Sequence, residues 1–324
     1  MNIVFLDADT IGSDIDLTVF EKLGDVTCYG FSTPQEMRER AADADILVLN
    51  KMPANETTLD KASRLKLICV AATGTNNLDK AYLEKRGIAW RNVAGYSTEC
   101  VTQHTFALLF YLLEKLPYYD SFVKSGSYAG STAFTHFTNI FHEIHGMTWG
   151  IIGLGAIGQR VAQIASMFGC QVIYYSTTGK NNQPQYERTS LAELLSRSDI
   201  ISVHAPLTEQ TEGLIDKKAF HQMKKSAIFL NLGRGPIVVE QDLADALNAG
   251  ELAAAGLDVL CEEPMRADSP LLSIQDSGRL IITPHIAWAG AETRRRLTDT
   301  IWHQIEDFQA SMQAYSPNTQ SSPV

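Results

Sequence analysis

Three turns in this 324-residue chain carry residue types that could do chemistry together. Asn231-Leu232-Gly233-Arg234-Gly235 holds an arginine, Cys261-Glu262-Glu263-Pro264 a glutamate, and Thr283-Pro284-His285-Ile286-Ala287-Trp288 a histidine. Arg234 offers a planar fork that binds a carboxylate bidentately and polarises a neighbouring carbonyl oxygen. His285 can give or take a proton near neutral pH, and a carboxylate such as Glu263 orients the ring and favours its charged form. The three together suit interconversion of a 2-oxo acid and a 2-hydroxy acid. Singly, each has an ordinary explanation: an arginine in a Gly-flanked turn, a surface glutamate before proline, a loop histidine. Their joint occurrence after three strand-like runs is what points to a site.

The partner for such a reaction is written in Gly153-Leu154-Gly155-Ala156-Ile157-Gly158. This G-x-G-x-x-G follows an apolar run at 148–152 and opens a helical pattern that runs to about Phe168, the context that makes the motif specific. The first glycine permits the tight turn, the second lets backbone approach a pyrophosphate, and the third allows close helix–strand packing. The helix start offers free N–H groups and a positive dipole end. At the end of the next strand, 171–175, the acidic residue that usually holds the ribose 2′-hydroxyl of NAD is replaced by Ser176-Thr177-Thr178, with Lys180 close by. NAD is the expected cofactor, with NADP left open.

These turns need elements to position them. Short apolar runs at 3–6, 26–29, 46–49, 67–70 and 88–92 alternate with helical patterns at 17–23 and 78–86, which predicts a parallel sheet covered by helices. Near Gly95 the rhythm changes. Ser97 is a candidate N-cap for a helix running to Leu116 and stopped by Pro117. Residues 118–146, rich in aromatics, Ser and Gly, read as an extended arm. A second βα series runs from Thr148 to about Thr283, and Ser190 with Glu193 forms a capping box within it. Leu297, Ile301, Ile305 and Phe308 recur at helical spacing in a helix over 291–310, and the last ten or so residues read as a frayed tail. The expected fold is α/β: two doubly wound parallel-sheet domains.

The bulk properties predict a soluble cytoplasmic α/β protein. Apolar residues make up 45% and charged residues 20%, which rules out a largely disordered chain. The formal net charge of −10 argues against a nucleic-acid or anionic-membrane surface. The longest apolar run, 106–113, is far shorter than the ~20 residues a bilayer needs, and the N-terminus shows no signal-peptide pattern. Five dispersed cysteines without a C-x-x-C pair fit reduced thiols in the cytoplasm. His142-Glu143-Ile144-His145, with His136 nearby, lacks the H-E-x-x-H spacing and a third ligand, so no metal is expected.

The glycine fingerprint with the Arg234, Glu263 and His285 turns resembles the D-isomer-specific 2-hydroxyacid dehydrogenases over nearly the whole chain. Tyr174-Tyr175-Ser176 and His285-Ile286-Ala287-Trp288 are most similar to the glycerate dehydrogenase, or hydroxypyruvate reductase, branch. The resemblance implies that Arg234, Glu263 and His285 are the catalytic triad. It implies cofactor contacts from Thr102, Gly153, Gly155, Ala156, Ile157, Gly158, Ser176, His204, Ala205, Pro206, Thr211, Leu232, Gly233 and Asp258, the last through the nicotinamide carboxamide. It also implies that the amides of Ala72, Thr73 and Gly74 hold the substrate carboxylate. Apart from the resemblance, Lys51 after the run at 46–49 and Trp288 after His285 are candidate substrate contacts, against the ordinary readings of a surface lysine and a core tryptophan. The organisation it implies is a Rossmann coenzyme domain at 98–290 inserted into a discontinuous, flavodoxin-like substrate domain at 1–97 and 291–324, with homodimerisation through the coenzyme domain. Glu263 argues against the formate dehydrogenases of the superfamily, which carry Gln there. A dinucleotide-sensing, corepressor-like interaction protein on the same scaffold is the alternative.

Overall fold

Strands buried on both faces read as unbroken apolar runs, and those runs become two separate parallel sheets in the computed structural model, which describes residues 1–314. The first sheet is formed by β1 (Asn2–Phe5), β2 (Asp25–Cys28), β3 (Ile46–Leu49), β4 (Leu67–Val70) and β5 (Ala89–Asn92) in the order β2-β1-β3-β4-β5. Every pairing is parallel, and the order is that of a flavodoxin-like fold. β3 and β4 are buried along their whole length, whereas β2 and β5 at the edges are largely exposed.

The second sheet contains β6 (Thr148–Ile152), β7 (Gln171–Tyr175), β8 (Glu187–Arg188), β9 (Ile200–Val203), β10 (Ile228–Asn231), β11 (Ala254–Leu257) and β12 (Leu280–Ile282). Its order, β12-β11-β10-β9-β6-β7-β8, reverses direction at β6. That is the Rossmann arrangement, with its ligand crevice at the carboxyl ends of the strands where the order turns. Cores lie on both faces: Phe220, Phe229 and Leu243 among others on one, Trp149, Tyr174 and Leu109 on the other.

Backbone contacts divide the chain into two compact units: Met1–Ser97 with the segment from Ala289 onward, and Thr98–Trp288. The helix Ala291–Ala314 returns to the first unit, where it packs against β4 with Leu297, Ile301, Ile305 and Phe308 buried. The expected frayed tail falls outside the described residues.

Some local expectations change. The helix expected over 17–23 is present as a 3-10 helix, Thr18–Lys22. Pro117 does not stop a long helix. The helix Thr98–Leu113 ends earlier, Lys115 adopts a left-handed conformation (φ 53°), and Pro117 sits in the first turn of a new helix, Leu116–Lys124, where a missing N–H costs nothing. The arm over 118–146 is therefore helical in its first part. Two short helices, Pro34–Arg40 and Glu56–Leu59, add to the first unit, each opened by a capping box from Thr33 or Asn55. Among the described residues no helix is long and apolar enough to cross a membrane.

Candidate functional site

The glycine-rich turn divides its work among three positions. Gly153 has φ 93°, and a Cβ there would lie 2.8 Å from the Ala205 backbone. A Cβ on Gly158 would lie 2.3 Å from the Gly153 carbonyl oxygen, so only glycine lets the helix approach the strand. Gly155 differs: a Cβ there would meet nothing within 4 Å. It faces open space at the start of the helix Ala156–Met167, which has no side-chain cap. Uncapped first-turn amides and a bare glycine make a cradle for a phosphate.

Ser176 and His204 follow β7 and β9, the two neighbours of β6 in the sheet, and Thr102 lies in the helix Thr98–Leu113. The Thr102 and Ser176 hydroxyls and His204 Nδ1 are buried without hydrogen-bond partners, as are Thr189 Oγ1 and Gln304 Oε1 elsewhere among the described residues. Trp149 Nε1 donates to Ser202 Oγ at 2.9 Å, and Ser202 Oγ lies 3.0 Å from His204 Nε2. If Ser202 donates onward to Nε2, the imidazole carries its proton on the unpartnered Nδ1. Burial pushes the His204 pKa down to about 3, so the ring is neutral. Thr211 Oγ1 donates to Pro206 O at 2.8 Å and accepts from Thr208 N at 2.8 Å, holding the turn after β9. A Cβ on Gly233 would lie 2.9 Å from Ala205 O, so Gly153, Ala205 and Gly233 meet closely where β6, β9 and β10 end. Leu232 is buried and Ile157 packs partly against the core beneath. This donor set fits a dinucleotide.

Arg234, Glu263 and His285 follow β10, β11 and β12, three adjacent parallel strands, so all three come after the carboxyl ends of the sheet. Buried Asn231 fastens the first turn, with its Oδ1 accepting from Gly233 N at 3.1 Å and its Nδ2 donating to Arg234 O at 3.0 Å. Gly235 presses on the second turn so tightly that a Cβ would fall 1.9 Å from Leu260 C. Arg234 Nη1 donates to Gly233 O at 2.8 Å, which steadies one side of the guanidinium fork. His285 Nδ1 and Glu263 Oε2 are 2.7 Å apart, and Leu260 N donates to Glu263 Oε1 at 3.1 Å. Both side chains remain partly exposed.

His285 has φ 55°, unusual for a non-glycine residue. The surrounding turn holds it there. Buried Asp258 accepts from Thr283 Oγ1 at 2.6 Å, Ile286 N at 2.9 Å and Ala287 N at 2.9 Å, while His104 Nε2 lies 2.9 Å from Thr283 Oγ1. Asp258, expected at the cofactor, thus spends three acceptor positions on the turn that presents His285. Trp288 is partly buried against the core of this unit.

In the first unit, buried Asp7 accepts from the amides of Asn50 and Lys51 at 3.0 Å, organising the turn that bears Lys51. Burial raises the Asp7 pKa. Ala72 O accepts from Val93 N at 3.1 Å, Thr73 Oγ1 donates to Val93 O at 3.0 Å and Asn92 Nδ2 donates to Thr73 O at 2.7 Å, so the 72–74 turn is braced from β5. Asp7, Asn231, Ser202 and His104 were not singled out from sequence. Of these only Asn231, inside the N-L-G-R-G run, carried a visible signal. Among the described residues no group of three or more His, Cys, Asp or Glu could hold a metal. His136 instead stacks on Phe122 at 3.9 Å and lies 2.7 Å from the Tyr118 hydroxyl.

Residues 106–287 match the model of the D-isomer specific 2-hydroxyacid dehydrogenase NAD binding domain. The chain belongs to this family. It is 38% identical over 315 residues to a hydroxypyruvate reductase of Blautia hydrogenotrophica, covering 95% of this chain and 97% of that protein. It is 37% identical over 278 residues to a glycerate dehydrogenase of Methylorubrum extorquens, covering 86% and 87%. The D-lactate dehydrogenase of Aquifex aeolicus, solved with NAD and lactic acid, superposes over the whole of both chains with a TM-score of 0.83 at 26% identity. The protein is a D-2-hydroxyacid dehydrogenase whose Rossmann unit is an NAD-binding domain.

Proposed function

We propose that this dehydrogenase reduces hydroxypyruvate or glyoxylate to the corresponding 2-hydroxy acid, with Arg234, Glu263 and His285 as its catalytic residues. The observation that carries the reading is the His285–Glu263 pair at 2.7 Å, after the carboxyl ends of strands next to the one that bears the Arg234 turn. Arg234 binds the substrate carboxylate and polarises the carbonyl with the part of its fork not bonded to Gly233 O. His285 Nε2 gives its proton to the carbonyl oxygen, and Glu263, 2.7 Å from Nδ1, holds the ring in position. The nicotinamide cofactor, when bound, supplies the hydride. In oxidation His285 acts as base.

The residues assigned to the cofactor are Thr102, Gly153, Gly155, Ala156, Ile157, Gly158, Ser176, His204, Ala205, Pro206, Thr211, Leu232, Gly233 and Asp258. Their support is the bare cradle at Gly155 and the unpartnered atoms of Thr102, Ser176 and His204. Ala72, Thr73 and Gly74 are assigned to the substrate carboxylate, with Lys51 and Trp288 as accessory contacts. A homodimer through the coenzyme domain is supported by Phe134, Phe137 and Ile140, which expose 90%, 78% and 75% of their surface in the arm. Five free cysteines favour the cytoplasm.

The test is a panel of hydroxypyruvate, glyoxylate, pyruvate and bulkier 2-oxo acids with NADH and NADPH, followed by loss of reduced nicotinamide. Hydroxypyruvate or glyoxylate should give the highest kcat/KM. Cofactor binding with no turnover across the panel would favour a sensing protein instead.

A further inference from the structure

The adenosine end of the crevice is built differently from an NAD-selective one. In such sites a carboxylate at the end of the second strand holds the ribose hydroxyls and repels a 2′-phosphate. Here that position, the end of β7, is Ser176, only 6% exposed, with a buried hydroxyl that has no partner.

The turn that follows is preorganised. Asn181 Nδ2 donates to Leu154 O at 3.1 Å, tying it to the glycine-rich turn. The buried Tyr174 hydroxyl accepts from Gln183 N at 3.1 Å and donates to Asn181 O at 3.3 Å, while Gly179 N reaches Ser176 O at 3.3 Å. Thr177, Thr178 and Lys180 stand on this turn.

Sequence spacing shows no arginine here, but the fold brings one. β8 pairs with β7 so that Arg188 lies opposite Tyr174, and its Nη2 sits 3.8 Å from where a Cβ on Gly179 would be. The adjacent acid, Glu187, is neutralised from the other side by both guanidinium nitrogens of Arg197, at 2.6 and 2.8 Å. Arg188 is thus left facing the turn, in a protein whose net charge of −10 would otherwise repel an anion.

We propose that Ser176, Thr177, Thr178, Lys180 and Arg188 form a 2′-phosphate subsite, so that the enzyme binds NADPH more tightly than NADH. Hydroxyls and a planar guanidinium are the donors a phosphate dianion takes. The inference rests on the assignment of the glycine-rich crevice to a dinucleotide, and its test does not depend on turnover.

Calorimetric titration of the full chain with 2′,5′-ADP and with 5′-AMP isolates the extra phosphate. 2′,5′-ADP should bind at least about tenfold more tightly, with the advantage shrinking as salt rises. Arg188→Ala should remove most of that advantage without changing 5′-AMP affinity, and Ser176→Asp should reverse the preference. Equal or tighter binding of 5′-AMP by the wild-type chain would overturn the subsite alone. Absence of binding by both nucleotides and by NADH would overturn the crevice assignment and the subsite with it.

Discussion

Two side chains are asked to do separable jobs, and substitution should separate them. His285→Ala should lower kcat by about 10²–10⁴-fold, the range of general acid–base contributions, while NADH affinity measured by fluorescence stays within a factor of about two. A parallel loss of NADH binding would contradict its assignment. Arg234→Lys keeps the charge but loses the fork. It should raise KM for the 2-oxo acid by roughly tenfold or more, equivalent to about 1.4 kcal/mol, and unchanged kinetics would refute the carboxylate contact. Both residues, with Glu263, were legible in the sequence because each stands beside Gly or Pro after an apolar run. What holds them was not. The sequence marks Asp258 only as an expected cofactor contact, and only the fold shows three donors of the 283–287 turn converging on its carboxylate. Arg188 was invisible for the same reason, since its value comes from the register of β8 against β7.

At the scale of elements, the glycine fingerprint makes two opposite predictions. Gly158→Ala drives a methyl group against the Gly153 carbonyl, 2.3 Å away, and should destabilise the protein by about 1–3 kcal/mol, the range for overpacking, read as a lower Tm. Gly155→Ala adds its methyl to open space at an ordinary φ of −76°. Its Tm should hold within about 2 °C, because surface changes of this kind rarely exceed ~0.5 kcal/mol, while dinucleotide affinity falls. A second element-level prediction concerns acid. Burial holds His204 neutral down to about pH 3, against an ordinary value of 6.5. The unfolded chain therefore takes up this proton first, and stability is lost as pH falls from about 6.5. His204→Asn should abolish that part of the loss, up to about 3 kcal/mol between pH 7 and 4, measured by urea unfolding at each pH. Equal acid sensitivity in the two proteins would sink this.

Elements were legible in proportion to their burial. β3 and β4 start and end where their apolar runs do, because a strand covered on both faces has no polar positions to blur it. The short polar helices Pro34–Arg40 and Glu56–Leu59 have too few apolar positions to show a period, although Thr33 with Glu36 was a readable cap. Pro117 misled because proline both ends helices and begins them; Lys115, turned left-handed just before it, decides the outcome.

For the whole molecule, the arm presents aromatic and aliphatic side chains that a lone subunit leaves in water. Sedimentation should show a dimer, and Phe137→Asp combined with Ile140→Asp should shift it to monomer, with an unchanged circular dichroism spectrum. A wild-type monomer would contradict the assembly. The assignment of reaction is tested most directly by following one deuterium atom. NADH labelled at the transferred position of C4, or NADPH so labelled, is incubated with hydroxypyruvate, whose reduction product is chiral at C2, and either wild type or His285→Ala. The account predicts a 2-hydroxy acid of D configuration carrying deuterium at C2, formed at a rate at least about a hundredfold lower in the variant. An L product, label elsewhere, or equal rates with and without the imidazole would contradict it.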